Sequence, residues 1–228
     1  MFLPLHDKNP LRIVPFQAVT VALIVLNVLV FGWQWLQPPA DQEVLLRGYG
    51  MIPAVLFDRA GAPVGAWLPA EATVLTYMFF HQDFWHLLGN MLFLWVFGDN
   101  IEDAMGHARF LLFYLVCGVL AVLLHALLTP QPGAAVVGAS GAVAGVMGAY
   151  LLLHPRVKLL VLLFGRLPLN LPAWLLIGAW VIFQFFSIAM GASQVAWWAH
   201  VGGFVAGALL VIGLRDKRVP LLDQGVEH

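Results

Sequence analysis

The 228-residue chain is 61% hydrophobic and only 10% charged, with a mean hydropathy of +0.88 and a net charge of −1. Soluble domains carry about a quarter charged residues, so this composition excludes an ordinary water-soluble enzyme and points to a bilayer. No basic face invites nucleic acid, and a single cysteine, Cys117, excludes an intrachain disulfide.

A bilayer core asks for roughly 20 mostly apolar residues per helix. Six stretches meet this, at about 16–36, 84–105, 108–128, 134–154, 168–189 and 195–214. The first is longer than a signal-peptide core, and the LQPPADQ after it is a poor cleavage site, so it reads as a retained helix. Between the first two spans lies a long loop, about 37–83, with the apolar pieces MIPAVLF and VLTYMFF. They are too short to cross and are expected in or on the outer leaflet. The expected architecture is an all-α polytopic membrane protein. It is a single six-helix membrane domain over 1–228, with a long membrane-associated outer loop between helices 1 and 2.

Basic residues set the orientation. Lys8, Arg12, Arg109, Arg156, Lys158, Arg166, Arg215, Lys217 and Arg218 fall on the side of the termini, and only Arg47 and Arg59 on the other. By the positive-inside rule both termini are cytoplasmic. Trp33, Trp35, Trp67, Trp85, Trp197 and Trp198 then gather near the outer face, as an aromatic belt does.

Polar residues inside the spans collect at one depth. At 1.5 Å per residue, Ser140 is roughly 9 Å below the outer boundary, His200 roughly 8 Å, and His86 and Asn90 roughly 3 and 9 Å. His86 and Asn90, spaced i, i+4, project from one side of their helix. His200 shares a stripe with Gly203 and Gly207, and Gly141 and Gly145 form a GxxxG pair beside Ser140. If these small-residue faces pack together, an imidazole is carried to a hydroxyl, which is the pairing of general base and nucleophile.

Each residue also has a bland explanation. A serine in a membrane helix usually bonds back to its own backbone, a lone histidine can be a structural hydrogen-bonder, glycine stripes serve packing, and Asn90 can glue two helices. Their coincidence in depth and facing is what favours chemistry. Other reaction classes lack their residues: there is no HExxH, no G-x-S-x-G elbow and no phosphate loop. His81 and His86 lack a third ligand, Asp99 lacks a second acid in another span, and His107, His125 and His154 read as structural. No metal or cofactor is expected.

These motifs resemble the rhomboid family of intramembrane serine proteases in its minimal six-helix form. GASG at 138–141 is similar to the family's GxSG around the nucleophile, AHVGGFVAG at 199–207 to its AHxxGxxxG around the catalytic histidine, and HLLGN at 86–90 to its HxxxN. GDNIEDAMG at 98–106 is similar to its GxxxExxxG. The resemblance implies a Ser140–His200 dyad and an oxyanion held by the Ser140 amide with His86 and Asn90. It also implies structural roles for Gly138, Gly141, Gly203, Gly207, Glu102 and Gly106. Substrates would be membrane-spanning proteins, reached between helices 2 and 5, with the loop near 190–195 as a lid. Two departures stand out: Ala144 occupies the place where some members stack an aromatic on the histidine, and the outer loop lacks a Trp-Arg pair. The alternatives are a catalytically silent rhomboid-like client-binding protein and a small transporter. The latter asks for a polar path that continues inward. Compactness and the lack of a targeting extension suggest a bacterial inner membrane.

Overall fold

A computed structural model describes residues 2–163, 165–191 and 195–222. In chain order they form β1 (Phe2–Asp7), α1 (Ala18–Trp35), α2 (Pro39–Tyr49), α3 (Pro53–Leu56), α4 (Thr73–Thr76), α5 (Phe84–Met105), α6 (His107–Leu128), α7 (Ser140–Leu153), β2 (Lys158–Leu163), β3 (Leu167–Pro172), α8 (Ala173–Ala189) and α9 (Trp197–Leu214). Single 3₁₀ turns at Ala70–Ala72 and Tyr77–Phe79 flank α4. The protein is mostly helical. By length and composition α1, α6 and α9 can each cross a membrane, while α7 and α8 are shorter apolar helices.

At the centre α7 packs on α9, with α6 and α5 against them. The contact is close because glycines face backbone. A methyl group on Gly203 would collide with the Gly141 carbonyl, and one on Gly207 with the Gly145 carbonyl. Side chains as large as Phe97, Phe110, Phe113, Tyr114 and Tyr150 fill the space around this seam and are fully buried. On the periphery α8 buries only the narrow stripe Ala173, Leu176, Ile177, Gln184 and Ser187. Its Phe183, Phe185 and Phe186 point outward.

The acidic end of α5 fastens the first helix. Glu102 accepts hydrogen bonds from the Val19 amide (2.9 Å), the Thr20 amide (2.7 Å) and the Thr20 hydroxyl (2.7 Å). These amides belong to the first turn of α1, whose own Gln17 provides no side-chain cap. Asp103 does the same for the approach segment, accepting from the amides of Arg12, Ile13 and Val14. Gly106, at φ 75°, turns the chain from α5 into α6, a conformation that costs glycine little.

Three expectations are corrected. The chain is not all-α: β1 pairs antiparallel with β2, and β2 with β3, in a sheet of order β1-β2-β3. Leu159 and Val161 of β2 are wholly buried beneath it. Residues 168–172, expected inside the fifth span, belong to β3, so the helix begins only at Ala173. Similarly, 134–139 is not helical and α7 starts at Ser140. The 37–83 segment contains helices α2 to α4, and Met51 and Ile52, then Tyr77 and Met78, of its apolar pieces are buried in the protein.

Candidate active site

Ser140 is the first residue of α7, so its amide is among the four a helix leaves without an internal acceptor. The segment leading to it is pinned from the 37–83 stretch. Met51 and Val136 exchange backbone hydrogen bonds (3.0 and 2.8 Å), and the Gly138 amide donates to the Tyr77 carbonyl (2.9 Å). The Ala139 amide points at His81 Nε2, 3.5 Å away. Tyr77 is itself fixed by its hydroxyl, which donates to the Gly118 carbonyl (2.7 Å). Gly138 adopts φ 117°, where any side chain is strained.

His86 and Asn90 come from the start of α5. Asp83 caps this helix by accepting the His86 amide (2.9 Å), which sets where the first turn begins. Both side chains lie over Gly138: a Cβ there would sit 2.5 Å from His86 Nε2 and 3.5 Å from Asn90 Nδ2. Asn90 Nδ2 is buried and has no hydrogen-bond partner within the protein. The rings of His86 and His81 meet edge to face at 5.2 Å.

His200 reaches the same place from α9. Its Nε2 is 2.9 Å from Ser140 Oγ, and its Nδ1 is 2.8 Å from Gln184 Oε1 on α8. The Gln184 amide is oriented by its other end, since Nε2 donates to the Trp180 carbonyl (3.0 Å). Oε1 is thus the atom turned to the imidazole, and His200 Nδ1–H donates to it. That leaves the Nε2 lone pair for the Ser140 hydroxyl. Trp180 and Trp197 flank the ring at centroid distances of 5.6 and 5.9 Å. They supply the aromatic surroundings that Ala144 cannot. His200 is buried while Ser140 is half-buried, so the hydroxyl is the accessible member of the pair.

Four residues from α5, α7 and α9 are therefore brought together: Ser140, His200, His86 and Asn90. Gly141, Gly203 and Gly207 lie in the seam that sets their spacing, and Gly138 beneath the α5 pair. Glu102 and Gly106 stand at the other end of α5. The loop expected as a lid is only partly visible, because 192–194 lie outside the described residues. Gln184, Trp180 and Tyr77 were not anticipated, and His81 was weighed only as a metal ligand without enough companions; of the first three, Gln184 alone carried a signal, as an amide within the apolar run VIFQFF.

Comparison with known proteins establishes the family. The Rhomboid domain profile matches residues 70–217. The chain belongs to the rhomboid family. Among curated rhomboids it is 29% identical over 215 residues to "Rhomboid protein 1, mitochondrial" of Saccharomyces cerevisiae, covering 90% of this chain and 53% of that one. It is 32% identical over 162 residues to "RHOMBOID-like protein 12, mitochondrial" of Arabidopsis thaliana, with 64% and 47% covered. It is also 32% identical over 136 residues to YdcA of Bacillus subtilis, whose name gives it provisionally as a rhomboid protease, with 60% and 62% covered. The chain thus spans about half the length of the first two relatives. Rhomboids are integral membrane proteins, in keeping with the apolar helices of this one.

Proposed function

We propose that the chain is an intramembrane serine endopeptidase that cuts transmembrane proteins in or near their membrane-spanning segment. The observation that carries this reading is the 2.9 Å approach of His200 Nε2 to Ser140 Oγ. As the hydroxyl attacks a substrate carbonyl, His200 takes its proton and then delivers it to the departing amine. This leaves an acyl ester on Ser140 that water resolves by the same route. The Ser140 amide, Asn90 Nδ2 and the His86 ring hold the developing oxyanion, the amide aided by the positive end of α7.

In this proposal α1, α5, α6, α7, α8 and α9 are the six spans, with both termini cytoplasmic and the dyad toward the outer face. Fourteen residues make α7 about 21 Å long, roughly 9 Å short of the hydrocarbon thickness. The non-helical 134–139 segment, in which Val136, Gly138 and Ala139 are buried in protein, makes up the difference; irregular backbone is tolerated within a bilayer where protein or water covers it. Ser140 then starts its helix below the surface. A bacterial inner membrane stays part of the proposal, although two of the relatives are named as mitochondrial.

The test is cleavage of a single-span substrate by purified wild type beside Ser140→Ala and His200→Ala, each checked for folding. Cutting by wild type alone is the expected result. Equal cutting by all three traces the activity to a contaminant, and failure on every substrate tried turns the reading toward client binding without catalysis.

A further inference from the structure

A general base must present a bare nitrogen to its nucleophile, and in a neutral imidazole the tautomer decides which nitrogen is bare. In the Ser-His-Asp arrangement a carboxylate opposite Nδ1 makes that choice. Here no carboxylate among the described residues contacts His200. The titratable groups that act on it are His86 on α5 and His125 on α6, with the Ser140 hydroxyl in contact from α7. The Nδ1 side is taken by Gln184.

We propose that Gln184 is a positioning residue that keeps the His200 proton on Nδ1, in the place a carboxylate holds in a triad. Burying an amide is costly unless both ends are bonded, and the apolar stripe of α8 would ordinarily hold a leucine at this point. Gln184 is 2% exposed and is bonded at both ends, donating to Trp180 O and accepting from His200. The chain of donors runs one way: Ser140 Oγ–H to His200 Nε2, His200 Nδ1–H to Gln184 Oε1, Gln184 Nε2–H to Trp180 O. Reversing the amide would turn a donor toward Nδ1, force the proton to Nε2 and block proton acceptance from Ser140. Because α8 buries only a narrow stripe beyond the backbone bonds that fix its start, this hydrogen bond also ties the orientation of the base to the seating of α8. A displaced α8 leaves His200 free to change tautomer.

This inference builds on the protease reading, but its first test does not need activity. The protein is labelled with ¹⁵N-histidine, reconstituted in lipid, and the His200 imidazole shifts are assigned by their loss in His200→Gln. Near pH 8 the wild type is expected to carry hydrogen on Nδ1 and none on Nε2. In Gln184→Leu the proton should redistribute to Nε2. A His200 protonated on Nε2 in the wild type, or unchanged in Gln184→Leu, overturns the proposal whether or not any substrate is cut. Kinetically, Gln184→Leu should lower kcat about 10- to 100-fold with KM within about twofold. Gln184→Glu, which keeps an acceptor opposite Nδ1 and adds charge favouring the imidazolium, should keep cleaving while the acidic limb of its rate profile moves to higher pH. If Gln184→Leu does not fold, Gln184→Glu decides alone, and an unmoved acidic limb overturns the proposal.

Discussion

Under the proposed function Asn90 Nδ2, buried and without a hydrogen-bond partner within the protein, bonds the oxyanion as it forms. Interactions of that kind raise kcat and leave ground-state binding alone. Asn90→Ala should therefore lower kcat about 10²–10³-fold, roughly 2.7–4 kcal/mol, with little change in KM, as steady-state cleavage assays would measure. Gly138 makes the opposite case, of a residue with no chemistry that controls the site. Its φ of 117° and the overlap of any Cβ with the His86 ring predict that Gly138→Ala abolishes cleavage. The strained backbone alone should cost about 1–3 kcal/mol in thermal unfolding. Such positions show how much a sequence discloses. Ser140, His200, His86 and Asn90 stood out because polar groups in apolar helices are conspicuous, and their meeting could be foreseen from depth and face. Gln184 was as conspicuous, yet its importance depends on a hydrogen bond 16 residues away in sequence. His81 and Tyr77 act through a ring nitrogen and a backbone carbonyl, which no pattern of residue types displays.

Among the elements, the α7–α9 seam and the first turn of α1 are the two that substitutions can probe cleanly. Gly203 and Gly213 lie on the same helix, but a Cβ at Gly203 would strike the Gly141 backbone while one at Gly213 meets nothing within 4 Å. Gly203→Ala is expected to lower both the melting temperature and cleavage by moving His200 away from Ser140. Gly213→Ala should leave both intact, alanine being the better helix former. Glu102 replaces the missing local cap of α1. Glu102→Ala should cost about 2–3 kcal/mol in detergent-titrated unfolding, with Glu102→Gln losing less because its carbonyl oxygen still accepts. The helices were broadly readable from hydropathy, since an apolar run of some twenty residues has few other fates. The sheet was not. KLLVLL has no polar-apolar alternation because both its neighbours and the core beneath it are apolar, and LPLNLP reads as the start of the next helix. The strand β1, which pairs with β2 and completes the sheet, lies about 150 residues earlier, and no local signal reaches that far. The onset of α7 at Ser140 was missed for a similar reason: alanine and valine at 134–137 continue an apolar run, and only the pairing of Val136 with Met51 keeps them extended.

For the molecule as a whole, the end opposite the Ser140 site is held by a buried polar cluster at which β1, α5 and α7 converge. Asp7 accepts from the Tyr150 hydroxyl (2.7 Å) and from Asn100 Nδ2 (2.8 Å), and Asn9 joins Asn100 by a further hydrogen bond. Burial pushes the Asp7 carboxyl from its ordinary 3.8 up to about 6, against the lowering effect of the Tyr150 hydrogen bond. The folded chain thus binds a proton there more tightly than the unfolded chain. This favours the fold fully below about pH 4, and the benefit is lost as pH rises through about 6. Two units correspond to roughly 3 kcal/mol. Asp7→Asn should remove that part of the slope, so the difference in melting temperature between variant and wild type should widen in the variant's favour between pH 4 and 7. A difference independent of pH would mean that Asp7 does not titrate in this interval.

The pairing of β1 with β2 also bears on how the chain is made. Phe2–Asp7 leaves the ribosome before its partner Lys158–Leu163, which follows about 150 residues later. At 5–20 residues per second, that is an interval on the order of ten seconds. Throughout it, an apolar strand waits with its backbone unpaired, the condition in which strands join the wrong neighbour. It has to be kept apart until β2 emerges, and only then can the sheet close, with β3 joining on the far side of β2.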